Sequence, residues 1–352
     1  MNHNATELVT TFLHVLHQRE LSEDEPTAVQ RFNQAYKRLT ERARASDRQA
    51  RDQMLRALVT GMNEHQSNWE FGCLANTCGI FVEYGADPAI PIEPILDRIT
   101  EQLRRVPEFV GVMQEQLGVE HPNQIADHDW PRLGQEHPDH AWVIGEWYAL
   151  QFTGCAAMTM LVRNVAARKK ARERIDLIQR AESARSDNPY AYYLAELLGM
   201  VDGERLLVLD TERKLGFHVH LTAIRNNFHL FTLLQDALLA HSSARAWSGP
   251  RGNALAVAVA KSERMLYDIS PNEWGPAGEV DSALWTYSIR GEGKPTEIPL
   301  LDGERIVLLG PLETPRSWNC GFFVPLHSDL RSAVVVESVL SDEEYRVAAL
   351  QQ

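Results

Sequence analysis

The spacing of apolar residues changes once along the chain, close to residue 200. Before that point apolar residues recur at helical intervals, as in the stretch 54–62, where they fall on one face of a helix. After Gly203 short apolar runs alternate with polar turns, a pattern typical of strands. We therefore predict an α+β protein with a predominantly helical N-terminal domain, residues 1–200, and a smaller mixed α/β domain with an antiparallel hairpin, residues 201–352.

Glycine and proline mark the ends of the predicted helices in the first half. A helix that begins at Asn68 should stop at Gly85, and Pro107 should close the next helix. A longer helix follows over residues 141–165. Its apolar part, 147–162, is shorter than the roughly 20 residues that a bilayer requires, so we expect a helix buried in the core and no membrane partner.

The second half contains two hairpin signals. Strands at 205–209 and 217–224 are joined by a polar turn, and the Asp-Gly pair at 302–303 separates two further apolar runs. The apolar run 254–260 predicts a buried strand. The segment 270–281 is rich in glycine and proline and predicts a loop.

Length, composition and charge narrow the class of protein. At 352 residues the chain exceeds the size of about 250–300 residues at which single cores stop growing, which favours two domains. A formal net charge of −13 opposes long-range attraction to nucleic acid. A basic run at 163–174 is interrupted by Glu173 and contains no aromatic residue, so we interpret it as a solvated helix face and expect no nucleic-acid partner.

The four cysteines help to indicate the cellular compartment of the protein. They are Cys73, Cys78, Cys155 and Cys320, and they form no Cys-x-x-Cys pair and no repeated spacing. The N-terminus has no basic segment followed by an apolar core. We therefore expect reduced cysteines in a cytoplasmic protein, with Cys320 as an inert thiol.

Three histidines are the candidate metal ligands. His218 and His220 stand two apart in a predicted strand and so share one face, and His229 follows after a turn. Three imidazoles would suit zinc or iron. The competing interpretation is an ordinary amphipathic strand, in which Phe217 and Val219 face the core and the two histidines face outward.

Tryptophans in the second half suggest a recognition surface. Four of them lie in or beside segments rich in glycine and proline: Trp247, Trp274, Trp285 and Trp318. Exposed tryptophan is typical of binding hot spots, although a tryptophan can equally pack beneath its own loop. We select Trp274 and Trp318 as binding residues and expect both to be partly exposed on one side of the C-terminal domain.

No motif with a specific catalytic mechanism occurs in the chain. It has no phosphate-binding loop, no dinucleotide fingerprint and no Gly-x-Ser-x-Gly elbow. The sequence therefore favours an intracellular, non-catalytic protein that binds a protein or peptide partner and needs no cofactor. The alternative is a metal-dependent enzyme that uses His218, His220 and His229 with zinc or iron, so the question of enzymatic activity stays open.

Overall fold

The structure is a computed structural model. It describes residues 3–20, 26–64, 67–115, 118–122, 125, 129–241, 253–263, 271–274, 278–279, 293–298, 300–301, 303–310, 316–319, 326–327 and 329–350. The chain divides into two compact units, Met1–Leu198 and Gly199–Gln352. The first is helical and the second contains a mixed sheet with helices, which confirms the predicted α+β class.

The described residues of the first unit form helices and no strand. The helices are α1 (His3–Glu20), α2 (Pro26–Ala45), α3 (Arg48–Glu64), α4 (Asn68–Glu83), α5 (Ile92–Glu115), α6 (Trp130–Glu136), α7 (Ala141–Arg163), α8 (Val165–Arg172), α9 (Ile175–Ser183) and α10 (Pro189–Leu198). The predicted stop after α4 is confirmed. Gly85 has a φ of 95°, in the left-handed region that glycine adopts at low cost.

Helix α7 lies at the centre of this unit and packs closely against α4. Small residues allow the approach, since a Cβ placed on Gly79 would lie 3.5 Å from the Cα of Ala156. Most of the apolar residues of α7 are buried, as expected for a core helix. Within the described part of the chain, no helix has both the length and the apolar character to cross a bilayer.

The predicted break at Pro107 is wrong, because α5 continues through it to Glu115. An internal proline costs a helix roughly 3 kcal/mol. The buried stripe of α5 nevertheless continues beyond the proline with Phe109 and Met113. Phe109 stacks on Trp147 of α7 with ring centroids 4.4 Å apart, and this tertiary packing opposes the local cost.

The second unit is built around one mixed sheet. Its described elements are β1 (Glu204–Asp210), β2 (Leu215–Thr222), α11 (Asn227–Ala240), α12 (Ala254–Ala260), β3 (Pro271–Trp274), β4 (Gly278–Glu279), β5 (Leu300–Leu301), β6 (Glu304–Gly310), β7 (Arg316–Asn319), β8 (Ala333–Val339) and α13 (Asp342–Leu350). The order is β4-β6-β1-β2-β8, with β5 also paired to β6. Strands β1 and β6 are parallel and the other pairs are antiparallel.

Both predicted hairpins are present, but two neighbouring predictions are wrong. Residues 254–260 form the helix α12, whose first turn is capped by the Asn253 side chain. A short apolar run fits either period, and the alanines of this one favour a helix. The predicted loop 270–281 contains the short strands β3 and β4.

The two faces of the sheet are covered by different helices. On one face Phe217 and Val219 of β2 pack with Phe231 of α11 in the main core of the unit. On the other face Leu207 of β1 belongs to a smaller cluster with Tyr345 of α13. Because neighbouring residues of a strand point to opposite faces, residues 218 and 220 lie on the face away from α11.

Candidate functional site

His218 and His220 lie side by side on the sheet face away from α11, each beside a carboxylate. Nδ1 of His218 is 2.9 Å from Oε1 of Glu304, and Nδ1 of His220 is 3.6 Å from Oε1 of Glu337. Nε of Arg205 lies 2.9 Å from Glu337 and 3.6 Å from Glu304. The two histidines therefore belong to a row in which basic and acidic side chains alternate across the strands.

His229 is a buried structural residue of α11. The backbone N–H of Arg225 donates to its Nδ1 at 3.2 Å, and its Nε2 lies 2.7 Å from the carbonyl oxygen of Ala260. Because a backbone N–H only donates and a carbonyl only accepts, the ring is the neutral tautomer with its proton on Nε2. Burial, which outweighs the hydrogen bond to Ala260, lowers the pKa of His229 to about 4.

The structure does not bring the three predicted ligands together. His218 and His220 share one face of the sheet, whereas α11, which carries His229, packs on the other. Among the residues that the structure describes, no group of three or more His, Cys, Asp or Glu side chains is arranged to hold a metal ion. The connection between β2 and α11 places His229 on the opposite side of the sheet from His218 and His220. The spacing of these residues in the sequence does not reveal this.

Trp274 and Trp318 lie on a two-stranded ribbon formed by β3 and β7. The antiparallel register pairs Trp274 with Arg316 and Asn272 with Trp318. Their side chains are outside the described part of the structure, as are Trp247, Trp285 and Cys320 altogether. The expected exposure of Trp274 and Trp318 on one side of the domain therefore stays a prediction.

A groove between α5 and α7 in the first unit combines aromatic and polar groups. The space between the helices is about 270 Å3 when the solvent at its open side is included, and its enclosed part has room for about one water molecule. Residues at helical spacing on each helix form its walls. Those that define its chemistry are Gln102, Arg105 and Phe109 of α5, with Trp142, Glu146 and Trp147 of α7.

The rim of the groove carries an exposed tryptophan beside an ion pair. Trp142 is 49% exposed, which is unusual for so large an apolar side chain. The guanidinium carbon of Arg105 lies 5.7 Å from the centroid of its indole ring. Arg105 also donates to Oε1 of Glu146 at 3.2 Å, so the indole, the cation and the carboxylate are held together.

The floor of the groove contains two polar atoms without partners. Gln102 is only 3% exposed, and its Oε1 accepts a hydrogen bond from Oγ1 of Thr153 at 2.6 Å. Among the residues that the structure describes, no group pairs with Nε2 of Gln102 or with Oε2 of Glu146. With Oε1 accepting from Thr153, Nε2 is the amide atom that is left as a donor without a partner.

Unpaired buried polar groups are costly, so their presence in the groove calls for an explanation. Each buried donor or acceptor without a partner destabilises a fold by about 1–3 kcal/mol. Such groups are explained by an ordered water or ion, by strain or by a functional role. The groove thus offers one donor, one acceptor and an exposed indole, which is an arrangement suited to binding.

The chain matches no known protein family, and no curated protein and no solved structure is significantly similar to it. Its function must therefore be argued from the chemistry of the site itself.

Proposed function

We propose that the protein is a non-catalytic interaction protein that binds a peptide segment of a partner protein in the α5–α7 groove. The observation that carries this proposal is Trp142, which is half exposed and lines the same groove as Gln102 and Glu146 with their unpaired polar atoms. Binding hot spots are enriched in tryptophan and arginine and pair an apolar anchor with desolvated polar groups. The groove has the same combination.

Two further properties concern the cellular compartment and the partner of the protein. The structure places no disulfide between the cysteines that it describes, Cys73, Cys78 and Cys155, which agrees with a reducing compartment. The net charge of −13 disfavours nucleic acid as the partner. A cytoplasmic location and a protein partner are therefore part of the proposal.

Selection from a random peptide library on the full-length chain tests the proposal. We expect the selected peptides to lose about 30-fold in affinity for a Trp142→Ala variant, which corresponds to the roughly 2 kcal/mol of a hot-spot residue. Tyr193→Ala is the matched control, because Tyr193 is a similarly exposed aromatic residue, at 42%, on α10. Its affinity should equal that of the unaltered protein.

Two results would contradict the proposal. One is a selection that yields no specific peptide, and the other is a set of peptides that bind the Trp142→Ala variant as tightly as the unaltered protein. The melting temperatures of both variants serve as the folding control. About half of each replaced side chain is exposed to solvent, so we expect only small shifts.

A further inference from the structure

We infer that the groove recognises a glutamine side chain of the bound peptide, through hydrogen bonds to Gln102 and Glu146. This inference deepens the proposed function and rests on it. A primary carboxamide carries an acceptor oxygen and a donor NH2 group on one planar unit. These are the complements of the free Nε2 donor of Gln102 and the free Oε2 acceptor of Glu146.

Other side-chain chemistries satisfy only one of the two floor atoms. A ligand carboxylate can accept from Gln102, but Glu146 repels its negative charge. A ligand ammonium or guanidinium can donate to Glu146, but it offers no acceptor to Gln102 and meets the positive charge of Arg105, which lies 3.2 Å from Glu146. An apolar side chain leaves both atoms unpaired, with the cost that this carries.

The depth of the floor favours glutamine over asparagine. The two unpaired atoms have almost no surface accessible to solvent, and Gln102 is nearly fully buried. A carboxamide on the longer stem reaches further from the peptide backbone, and its methylene groups can pack along the aromatic wall of Phe109 and Trp147.

Access to the floor requires side chains at the rim to move. Trp142 is half exposed and Arg105 lies against its ring, so both side chains border solvent into which they can rotate when a ligand enters. Such rotamer changes are common when proteins bind partners. The environment of the Trp142 indole should therefore change whenever a ligand enters.

The test uses fluorine NMR on the full-length chain labelled with 5-fluorotryptophan. The resonance of Trp142 is assigned from a Trp142→Phe variant. The probes are four synthetic peptides, acetyl-Gly-Ala-X-Ala-Gly-N-methylamide, in which X is Gln, Glu, Lys or Met. The N-methylamide terminus ensures that the X side chain is the sole primary carboxamide among the probes.

We expect the Gln peptide to shift the Trp142 resonance and the other three to bind at least tenfold more weakly. A Gln102→Met variant, which removes the donor, should reduce the preference for Gln over Met at least tenfold. A Glu146→Gln variant, which removes the repelling charge, should let the Glu peptide bind at least tenfold more tightly than it binds the unaltered protein.

The outcomes separate the inference from the function on which it rests. Equal binding of all four peptides at Trp142 would overturn the glutamine inference, because the groove would then recognise the peptide backbone and not the X side chain. Stronger binding of the Lys or Glu peptide than of the Gln peptide would overturn it as well. If no peptide moves the Trp142 resonance and library selection also yields no Trp142-dependent binder, the proposed function itself fails.

Discussion

His229 shows how one residue can be read in two ways. In the sequence it stands close to His218 and His220 and resembles a third metal ligand. In the structure its two ring nitrogens are engaged by the backbone of Arg225 and Ala260, which makes it a neutral residue of the core. The nature of the side chain was evident from the sequence, but the direction in which α11 carries it depends on the packing of that helix.

The buried imidazole predicts a pH dependence of stability. The unfolded chain takes up a proton on His229 below its ordinary pKa of 6.5, whereas the folded protein resists protonation until about pH 4. The unfolded state therefore gains protons first, and the contribution of this residue to stability is lost as the pH falls from about 6.5 to about 4. The loss amounts to roughly 3 kcal/mol at most.

Urea unfolding of the unaltered protein and of a His229→Gln variant at several pH values measures this contribution. Glutamine at this position can still donate to the Ala260 carbonyl but does not titrate. We expect the difference in unfolding free energy between the two proteins to shrink by roughly 3 kcal/mol between pH 7 and pH 4. A difference that stays constant with pH would show that the pKa of His229 is not lowered.

We predict that Gln102 lowers the stability of the protein while it provides a hydrogen-bond donor for the ligand. Its Nε2 is buried without a partner, and Oγ1 of Thr153 can donate to the carbonyl oxygen of Leu150, 3.2 Å away, when Oε1 is removed. A Gln102→Met replacement of similar size should therefore raise the free energy of unfolding by about 1 kcal/mol. Thr153→Val is the contrasting variant, because it removes the donor to Oε1 and should lower stability by about 1–3 kcal/mol. Chemical denaturation that finds Gln102→Met less stable than Thr153→Val would contradict this account of the groove floor.

Secondary structure was predictable where the local signals agree with the packing. The end of helix α4 was predictable because it depends on a single residue, Gly85, which readily adopts the left-handed backbone conformation found there. The continuation of α5 through Pro107 is not local, because it depends on the contact between Phe109 and Trp147. The helix at 254–260 was likewise missed, since seven apolar residues carry no distinct period.

The packing of α7 makes a prediction about two of the glycines in the first unit. A Cβ on Gly79 would meet Ala156 at ordinary contact distances, so Gly79→Ala should be neutral or stabilise the protein by up to about 1 kcal/mol. A Cβ on Gly154 would lie 2.7 Å from the Cβ of Tyr190. Gly154→Ala should therefore destabilise the protein by about 1–3 kcal/mol. Thermal unfolding of the two variants compares them, and equal melting temperatures would contradict the packing of α7 described here.

The α5–α7 groove could not be predicted from the sequence, because it depends on how two helices pack against each other. Gln102 stands among the charged residues of α5, and Glu146 is a single acidic residue in the mostly apolar α7, so each resembles an ordinary solvent-facing residue in the sequence. The way in which α5 and α7 pack brings both residues to one groove and leaves one polar atom of each side chain without a partner. That arrangement is visible only in the three-dimensional structure. The weak signal in the sequence was Trp142 itself, beside a helix start.

At the scale of the whole molecule, the change of hydrophobic period near residue 200 predicted the fold class because the period depends on secondary structure alone. The compact units divide at Leu198 and Gly199. The functional site was harder to predict from the sequence than the fold class. The candidate binding residues of the sequence, Trp274 and Trp318, lie in the second unit, whereas the groove with described side chains lies in the first.

The redox state of the chain follows from its cysteines. We expect four titratable thiols when the purified protein is denatured without reductant, because no pair has the spacing of a disulfide framework and the three described cysteines form no disulfide with one another. Cys78 is buried, and burial raises its pKa, so this thiol should react only after unfolding. A count of two thiols would reveal a disulfide and contradict the proposed reducing compartment.

The location of the bound peptide tests the central claim most directly. A selected peptide that carries a photoreactive group is cross-linked to the full-length chain, and the attachment site is determined by mass spectrometry. The account predicts attachment within α5 or α7, close to Trp142, and loss of cross-linking in the Trp142→Ala variant. Attachment to the segments around Trp274 and Trp318, with cross-linking unchanged in that variant, would place recognition in the second unit and contradict the account.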